Sequence, residues 1–458
     1  MTEQHVRYFN RVLVANRGEI ALRVIRTLQE LSIASVAVYS DADTDSAHVV
    51  AADHAVHIGG SPVAESYLRI DRIIEAALSS GADAIHPGYG LLSENPDMVE
   101  ACERAGLVWI GPSASAMRAM GSKLNARRLM IKAGVPVVPG GTEPIADEEA
   151  ALAAAESLGY PVAFKASGAG GGKGFRVAHH ASDVPAAFTG AAGEGERFFG
   201  DPTVYAERYL ANPRHVEVQI LADQHGSVIH LHERDCSVQR RHQKLVEEAP
   251  APAVSAELRA AIGEIAIAAA RSTGYVSAGT IEGLLDGDQF YFLEMNTRIQ
   301  VEHPVTEMIT GVDIVAEQLR IAAGHPLTLA QEAVRLSGHA IECRINAENA
   351  AKNFLPSPVR IGDYREPSGE GVRVDSGVRA GDAVHQWYDP LIAKLVVWAE
   401  DRDAATDRML AALRDFTISG PATLLPFHAA LLSTDQWRRG ETCADLLADR
   451  AWLRSTAG

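Results

Sequence analysis

Apolar and polar residues are grouped in a regular way along the first 110 positions. Arg11-Val-Leu-Val-Ala is a short apolar run, followed by the turn Asn16-Arg-Gly-Glu and by apolar residues at helical spacing over 20–31. Further apolar runs at 34–39, 84–86 and 108–110 alternate with helical patterns at 68–78 and 96–105. Repetition of strand, turn and helix predicts an open parallel α/β domain that closes near Gly111-Pro112. A helix is expected over 115–133. Gly134-Val-Pro-Val-Val-Pro-Gly-Gly then links to a smaller unit, with a helix over 147–158 and strands over 160–165 and 175–178. Residues 204–210 lead to strands at 215–221, 228–233 and 278–285, with a helix over 256–273. The remainder predicts a helix at 314–323, strands at 338–345, 359–364, 372–375 and 391–398, and helices at 402–416 and 424–432.

One stretch breaks this scheme. Phe290-Tyr-Phe-Leu reads as a buried strand, and from Glu294 the pattern becomes strict alternation: Glu294, Asn296, Arg298, Gln300 and Glu302 at every second position, with Pro304 ending the extension. In extended backbone all five project from one face. Carboxylate and carboxamide oxygens suit a hard cation such as Mg²⁺, and the guanidinium between them offers a planar fork to an oxyanion. A solvated edge strand is the bland alternative. The turn Asp286-Gly-Asp sets Glu282 on the hairpin partner of Glu294, so two carboxylates on adjacent strands could share a cation.

Two further segments carry candidate chemistry. Ser167-Gly-Ala-Gly-Gly-Gly-Lys-Gly lies between two predicted strands and is flanked by Lys165 and Lys173, which suits a phosphate-covering flap. It is not a Walker A loop, because Gly174 follows Lys173. Arg234 to Glu248 is a dense polar run with Arg240, Arg241, His242 and Lys244, a local basic pocket for a small anion. His86-Pro-Gly-Tyr89-Gly90 sits at a strand's carboxyl end, where α/β domains place ligands, although a plain turn explains it as well. No G-x-G-x-x-G follows the first strand, which argues against a nicotinamide cofactor.

Composition narrows the choice. With 458 residues, several domains are expected. A net charge of −17 excludes the basic footprint that nucleic acid or an anionic membrane requires. Cys102, Cys236, Cys343 and Cys443 are widely spaced, as for reduced thiols in the cytoplasm. Only seven lysines (123, 132, 165, 173, 244, 352 and 394) stand among 42 basic residues, so particular sites could need a compact ammonium.

Five motifs occur in a fixed order: Ala15-Asn-Arg-Gly-Glu-Ile-Ala; His86-Pro-Gly-Tyr-Gly-Leu-Leu-Ser-Glu-Asn; Asn212-Pro-Arg-His-Val-Glu; Gln239-Arg-Arg-His-Gln-Lys-Leu-Val-Glu-Glu-Ala-Pro; and Glu294-Met-Asn-Thr-Arg-Ile-Gln-Val-Glu-His-Pro-Val-Thr-Glu. Together they resemble the biotin carboxylases, ATP-grasp enzymes that make carboxybiotin from ATP, bicarbonate and biotin. The resemblance implies an α/β chain with an ATP-grasp fold at 121–330 (flap about 135–205). A Rossmann-like N-terminal domain at 1–120 would precede it, and an α+β C-terminal domain at 331–450 would follow.

The resemblance also implies roles. Lys123, Lys165, Gly171, Gly172, Glu207, Arg208, Tyr209, Leu210, His215 and His242 would contact ATP. Glu282, Glu294 and Asn296 would hold its Mg²⁺ or Mn²⁺. Lys244, Arg298, Gln300, the Val301 backbone and Glu302 would form the bicarbonate pocket, with Glu302 as general base and Lys244, Arg298 and Arg344 as the other catalytic groups. Arg344 and Tyr89 would meet biotin. The implied partners are a biotin carboxyl carrier protein, a carboxyltransferase and a second copy of the chain, in an acyl-CoA carboxylase. No lysine follows a methionine, so biotin is expected on a separate carrier. Departures from the family pattern are Ala169 and Lys173 in the flap, Gly283 where a bulky residue is common, and Gly420-Pro-Ala-Thr-Leu-Leu. The alternatives are another ATP-grasp ligase and a regulatory protein that binds nucleotide without turnover.

Overall fold

The computed structural model describes residues 8–168 and 173–456. Strands β1 (Arg11–Val14), β2 (Ala34–Ser40), β3 (His54–Gly59), β4 (Ala84–His86) and β5 (Val108–Trp109) form a parallel sheet in the order β3-β2-β1-β4-β5. β1, β2 and β4 are apolar because helices cover both faces of the sheet. β3 was not expected: it is an edge strand with three of its six residues exposed, and two histidines interrupt its apolar residues. Asn16, just after β1, donates from Nδ2 to the carbonyls of Pro87 and Tyr89, both at 2.7 Å, and so fixes the loop after β4. Gly88 has φ +62°, and a Cβ there would meet the Asn16 amide at 3.0 Å.

The helix expected over 115–133 is two helices, Ala114–Gly121 and Lys123–Lys132. Ser122 leaves helical dihedrals and caps the second helix, accepting from the Asn125 amide at 3.4 Å. The break places Lys123 at a helix start, facing the large sheet.

Strands β6 (Val162–Ala166), β7 (Phe175–Ala178) and β8 (Val204–Arg208) make an antiparallel sheet in the order β7-β6-β8. The helices Glu148–Leu158 and Val184–Phe199 pack on it through Ala151, Ala155, Val184, Ala187 and Ala191. Gly171 and Gly172 lie outside the described residues.

The third sheet is antiparallel. It holds β9 (Arg214–Ala222), β10 (Val228–Arg240), β11 (Gln243–Ala249), β12 (Ser277–Asp286), β13 (Gln289–Asn296) and β14 (His339–Asn346), with the strands Leu391–Ala399 and Val372–Ser376 beyond β14. Its order is β13-β12-β9-β10-β11-β14, so the β11–β14 pair joins the central and C-terminal segments. The polar run 234–248 is a hairpin: β10 continues through Arg240 and returns as β11, with Arg241 and His242 at φ +50° and +65° in the turn. The extension from Phe290 stays in the ladder only to Asn296. Residues 297–302 run free, and Glu302 precedes the helix His303–Thr310. Of the strand expected at 359–364, only Tyr364 is in a strand, Tyr364–Arg365, paired with Thr417–Ile418.

Buried ion pairs tie these parts together. Glu307 accepts from Arg23 of the helix Gly18–Glu30 at 2.9 Å, from Arg373 at 2.7 Å and from the Ile314 amide at 2.8 Å. Burial pushes its carboxyl up, but Arg23, His303 and Arg373 together outweigh burial and hold it at about 2. Its stabilisation is therefore complete above the ordinary value of 4.5 and is lost as pH falls through about 2. Glu307→Gln leaves Arg23 and Arg373 short of a buried counter-charge and should destabilise the chain by about 3 kcal/mol at pH 7. Thermal unfolding of wild type and variant checks this. The gap between their midpoints should close as pH drops from 4.5 toward 2.

Candidate active site

A cavity of about 940 Å³ lies between the β7-β6-β8 sheet and the large sheet, and it receives side chains from both. On its floor, β9, β11, β12 and the 297–302 segment converge on one ammonium. Lys244 Nζ lies 2.5 Å from Glu217, 2.9 Å from Glu282 and 2.6 Å from Glu302. The second oxygen of Glu302 is 2.8 Å from Arg344 Nη2, and Arg344 Nε donates to Glu247 at 2.6 Å. Below them Arg234, fully buried, uses all five of its N–H groups. Nε donates to Glu217, Nη1 to Gln219 and Thr306, and Nη2 to Thr280 and Gln300. Gln300 is thereby oriented so that its amide N–H reaches Glu282 at 2.6 Å.

The hairpin partners Glu282 and Glu294 stand directly opposite each other. A bulge at Glu282/Gly283 makes this register; counted from the turn alone, Glu282 would oppose Leu293. The glycine fits because a Cβ at 283 would run into the Phe290 ring. Asn296 donates to Glu282 at 2.6 Å and accepts from Arg298 at 2.9 Å. Lys123 Nζ lies 2.6 Å from Glu294, and His215 Nε2 lies 3.1 Å from Glu282. Glu282, Glu294 and Asn296 present oxygen donors at one wall of the cavity, a set that suits a hard divalent cation.

The five alternating residues 294–302 all line this cavity although the ladder stops at Asn296, and Leu293 and Val301 line it as well. Lys165 pairs with Glu207 at the opposite wall, where Arg208, Tyr209 and Leu210 also line the cavity. His242 lines the mouth from the β10–β11 turn. Tyr89 is set apart. Its hydroxyl donates to Glu19, and it does not line the cavity.

Sequence reasoning missed Glu217, Arg234, Glu247 and Glu94. Glu94 accepts from the Thr297 amide at 2.9 Å and from Arg298 Nε at 3.1 Å, pinning the 297–302 segment to the N-terminal domain. A signal existed for Glu217: His215, Glu217 and Gln219 alternate with apolar residues along β9.

Electrostatics follow from this packing. For Glu217 and Glu282, burial raises the carboxyl, but Lys244 leads the cations that bring both well below the ordinary range. Glu302 is lowered too: burial opposes, and Lys244, Arg344 and Arg234 prevail. Glu247 goes the other way. Burial, aided by Glu302, pushes it up to about 7 against Arg344. His215 is raised to about 9; burial opposes, and Glu282 and Glu217 prevail.

The fold and this site define an ATP-grasp ligase: a nucleotide-sized cavity between two antiparallel sheets, with paired acidic donors on one wall and lysines on both. Three family models match in succession. These are the biotin carboxylase N-terminal domain at residues 8–117, the carbamoyl-phosphate synthase L chain ATP-binding domain at 122–330 and the biotin carboxylase C-terminal domain at 342–449. The biotin carboxylase of Nostoc sp. is 50% identical over 442 residues, covering 96% of this chain and 99% of its own. A pyruvate carboxylase subunit of Methanothermobacter thermautotrophicus is 52% identical over 433 residues, covering 94% of this chain and 88% of its own. Among solved structures, a biotin carboxylase from Campylobacter jejuni in a β,γ-ATP complex superposes with TM-score 0.92 at 46% identity, covering 95% of this chain and 98% of that one. The biotin carboxylase domain dimer of Hydrogenobacter thermophilus 2-oxoglutarate carboxylase, solved with MgADP, ADP and bicarbonate, also gives 0.92 at 46%, covering 97% and 99%. The chain belongs to the biotin carboxylase family. Among the described residues no helix is long and apolar enough to cross a membrane.

The raised value of His215 has a measurable consequence. Its stabilisation is fully present below the ordinary 6.5 and is lost as pH rises through about 9. Wild type should therefore lose stability relative to His215→Gln between those values, by about 3 kcal/mol in all. Urea unfolding across that range measures the difference.

Proposed function

We propose that this biotin carboxylase uses ATP and bicarbonate to carboxylate biotin on a separate carrier protein, through carboxyphosphate, as the first half-reaction of an acyl-CoA carboxylase. The observation that carries this reading is the Lys244 ammonium held by Glu217, Glu282 and Glu302, with Arg344 on the remaining oxygen of Glu302. It sets a cationic pocket for a small oxyanion directly against a carboxylate base. In this reading the parts are 1–120, 121–330 and 331–450, with 135–205 closing over the nucleotide.

Lys123 and Lys165 face the phosphates across the cavity, Gly171 and Gly172 cover them, and Glu207 to Leu210 and His242 border the adenosine. Glu282, Glu294 and Asn296 would hold a Mg²⁺ or Mn²⁺, which would supply charge neutralisation at the γ-phosphoryl group. Lys244, Arg298, Gln300 and the Val301 backbone orient bicarbonate. Glu302 stays ionised at neutral pH and takes the bicarbonate proton. Bicarbonate competes for the cations that depress Glu302, which raises its basicity at that moment. The bicarbonate oxygen then bonds to the γ-phosphorus as the bond to ADP breaks. Carboxyphosphate splits to CO₂ and phosphate, the phosphate accepts the ureido N–H proton of biotin, and that nitrogen adds to CO₂. Arg344 and Tyr89 meet the biotin, with Arg344 stabilising the ureido oxygen.

The carrier and a carboxyltransferase are the partners, two copies of the chain pair, and the four buried free thiols suit the cytoplasm. The 52% identity with a pyruvate carboxylase subunit supports a second reading, in which the final acceptor is a 2-oxoacid rather than an acyl-CoA. Supplying carboxylated carrier to each kind of carboxyltransferase separates the two.

ADP release should depend on bicarbonate and rise with free biotin. Glu302→Gln should cut the biotin-dependent rate by about 10²–10⁴, the usual worth of a positioned base. Near-normal turnover in that variant removes Glu302 from the role.

A further inference from the structure

Of the seven lysines, Lys394 is the one that is buried completely and that the proposed chemistry leaves unused. It lies on the strand Leu391–Ala399, directly across from Arg344 on one side and from Asp375 on the other. Its ammonium donates to the Val301 carbonyl at 2.9 Å and lies 3.0 Å from Glu19 Oε2 and 3.8 Å from Asp375 Oδ2.

Each contact belongs to a different part of the molecule. Val301 lies in the free-running 297–302 segment, between Gln300 and Glu302. Its carbonyl has no ladder partner there, and burying it without a donor would carry a desolvation cost. Glu19 opens the helix Gly18–Glu30 of the N-terminal domain and is itself buried. Its other oxygen accepts the Tyr89 hydroxyl. Asp375 is already held by Arg373 at 2.7 Å, so it balances the Lys394 charge rather than depending on it. One ammonium thus connects the N-terminal domain, the 297–302 segment and the C-terminal strands. The Val301 carbonyl that it fixes directly immediately precedes Glu302, the partner of Arg344, and the Tyr89 hydroxyl is fixed through Glu19.

We propose that Lys394 is a positioning residue for the carboxylation of biotin: it holds Val301 and, through Glu19, Tyr89 in one register beside Arg344. The inference rests on the reading of Arg344, Val301 and Tyr89 given above. It places biotin geometry under the control of a side chain that touches no substrate, and it leaves the nucleotide end untouched, since no group on Lys394 reaches Lys123, Lys165 or Glu294.

The test compares full-length wild type with Lys394→Met, which keeps the length of the stem and removes the charge. ADP release is measured with ATP, bicarbonate and free biotin varied in turn. Wild type must first show biotin-dependent release; if it does not, the functional reading fails, and the role of Lys394 is not at issue. Given that dependence, Lys394→Met should raise KM for biotin by about tenfold or more with KM for ATP within about twofold, because a small misplacement of positioned groups costs the step they serve. Equal loss for biotin and ATP would make the residue merely structural and overturn the proposal, as would an unchanged KM for biotin. Should the methionine variant not fold, Glu19→Gln takes its place. It keeps the volume and an acceptor for Tyr89 while weakening the grip of Lys394. A rise of about threefold or more in KM for biotin alone is expected there, and no rise overturns the proposal.

Discussion

The structure depends on one electrostatic constraint: carboxylates buried on the floor of the cavity remain ionised only where cations are buried with them. Glu217, Glu282 and Glu302 are each at most 5% exposed. Isolated carboxylates so placed would take up protons and be useless as base or ligand. Arg234, Lys244, Arg344 and the protonated His215 stand among them at 2.5–3.5 Å. The desolvation cost of such a cluster is large, so it is poor evidence of stability. Its value lies in geometry. Each oxygen of Glu302 is held by a different cation, and Arg234 fixes Gln300 and Glu217 together.

The same constraint explains why the cluster is spread over so many elements. No strand could carry these charges side by side without repulsion. Arg234 of β10 lies directly across from Glu217, and Lys244 of β11 bridges Glu217 to Glu282, which face each other across β9 and β12. The 297–302 segment leaves the ladder and brings Glu302 to the same ammonium. Where the nearby cations do not outweigh burial, the balance tips. Glu342 lies directly across from Glu247, and burial drives its carboxyl well above the ordinary range despite Lys394 nearby.

The parts legible in the sequence are those with a local period. The parallel α/β opening follows from apolar runs and helical spacing, with β4 at 84–86 as expected, and the whole 294–302 row reaches the cavity although Glu302, at φ −84° and ψ 13°, is no longer extended. Long-range partners left no such trace. Arg234 looks like the start of a solvated run, since nothing local reveals that Glu217, Gln219, Thr280, Gln300 and Thr306 surround it. The helix Val184–Phe199 was missed for another reason. Gly190, Gly193 and Gly195 lower its intrinsic propensity, and packing on β6 makes it, with Gly195 letting the Asp201 carbonyl and Ala166 approach. The helix break at Ser122 was also hidden, because a single serine in a helical pattern is ambiguous until its hydroxyl is seen to cap.

The scarcity of lysine becomes intelligible at the level of donor geometry. Lys132, Lys173 and Lys352 are exposed, whereas Lys123, Lys165, Lys244 and Lys394 are each paired inside the structure. A guanidinium delivers its N–H groups in one plane, which is what Arg234 needs in the layer between β9, β12 and the helix His303–Thr310. The acceptors around Lys244 come from three separate segments, and so do those around Lys394. Three diverging N–H groups on a single small centre satisfy such an arrangement, and a flat fork does not. In a chain that otherwise uses arginine for 35 of its 42 basic positions, Lys244 and Lys394 stand where three separate segments are drawn onto one point.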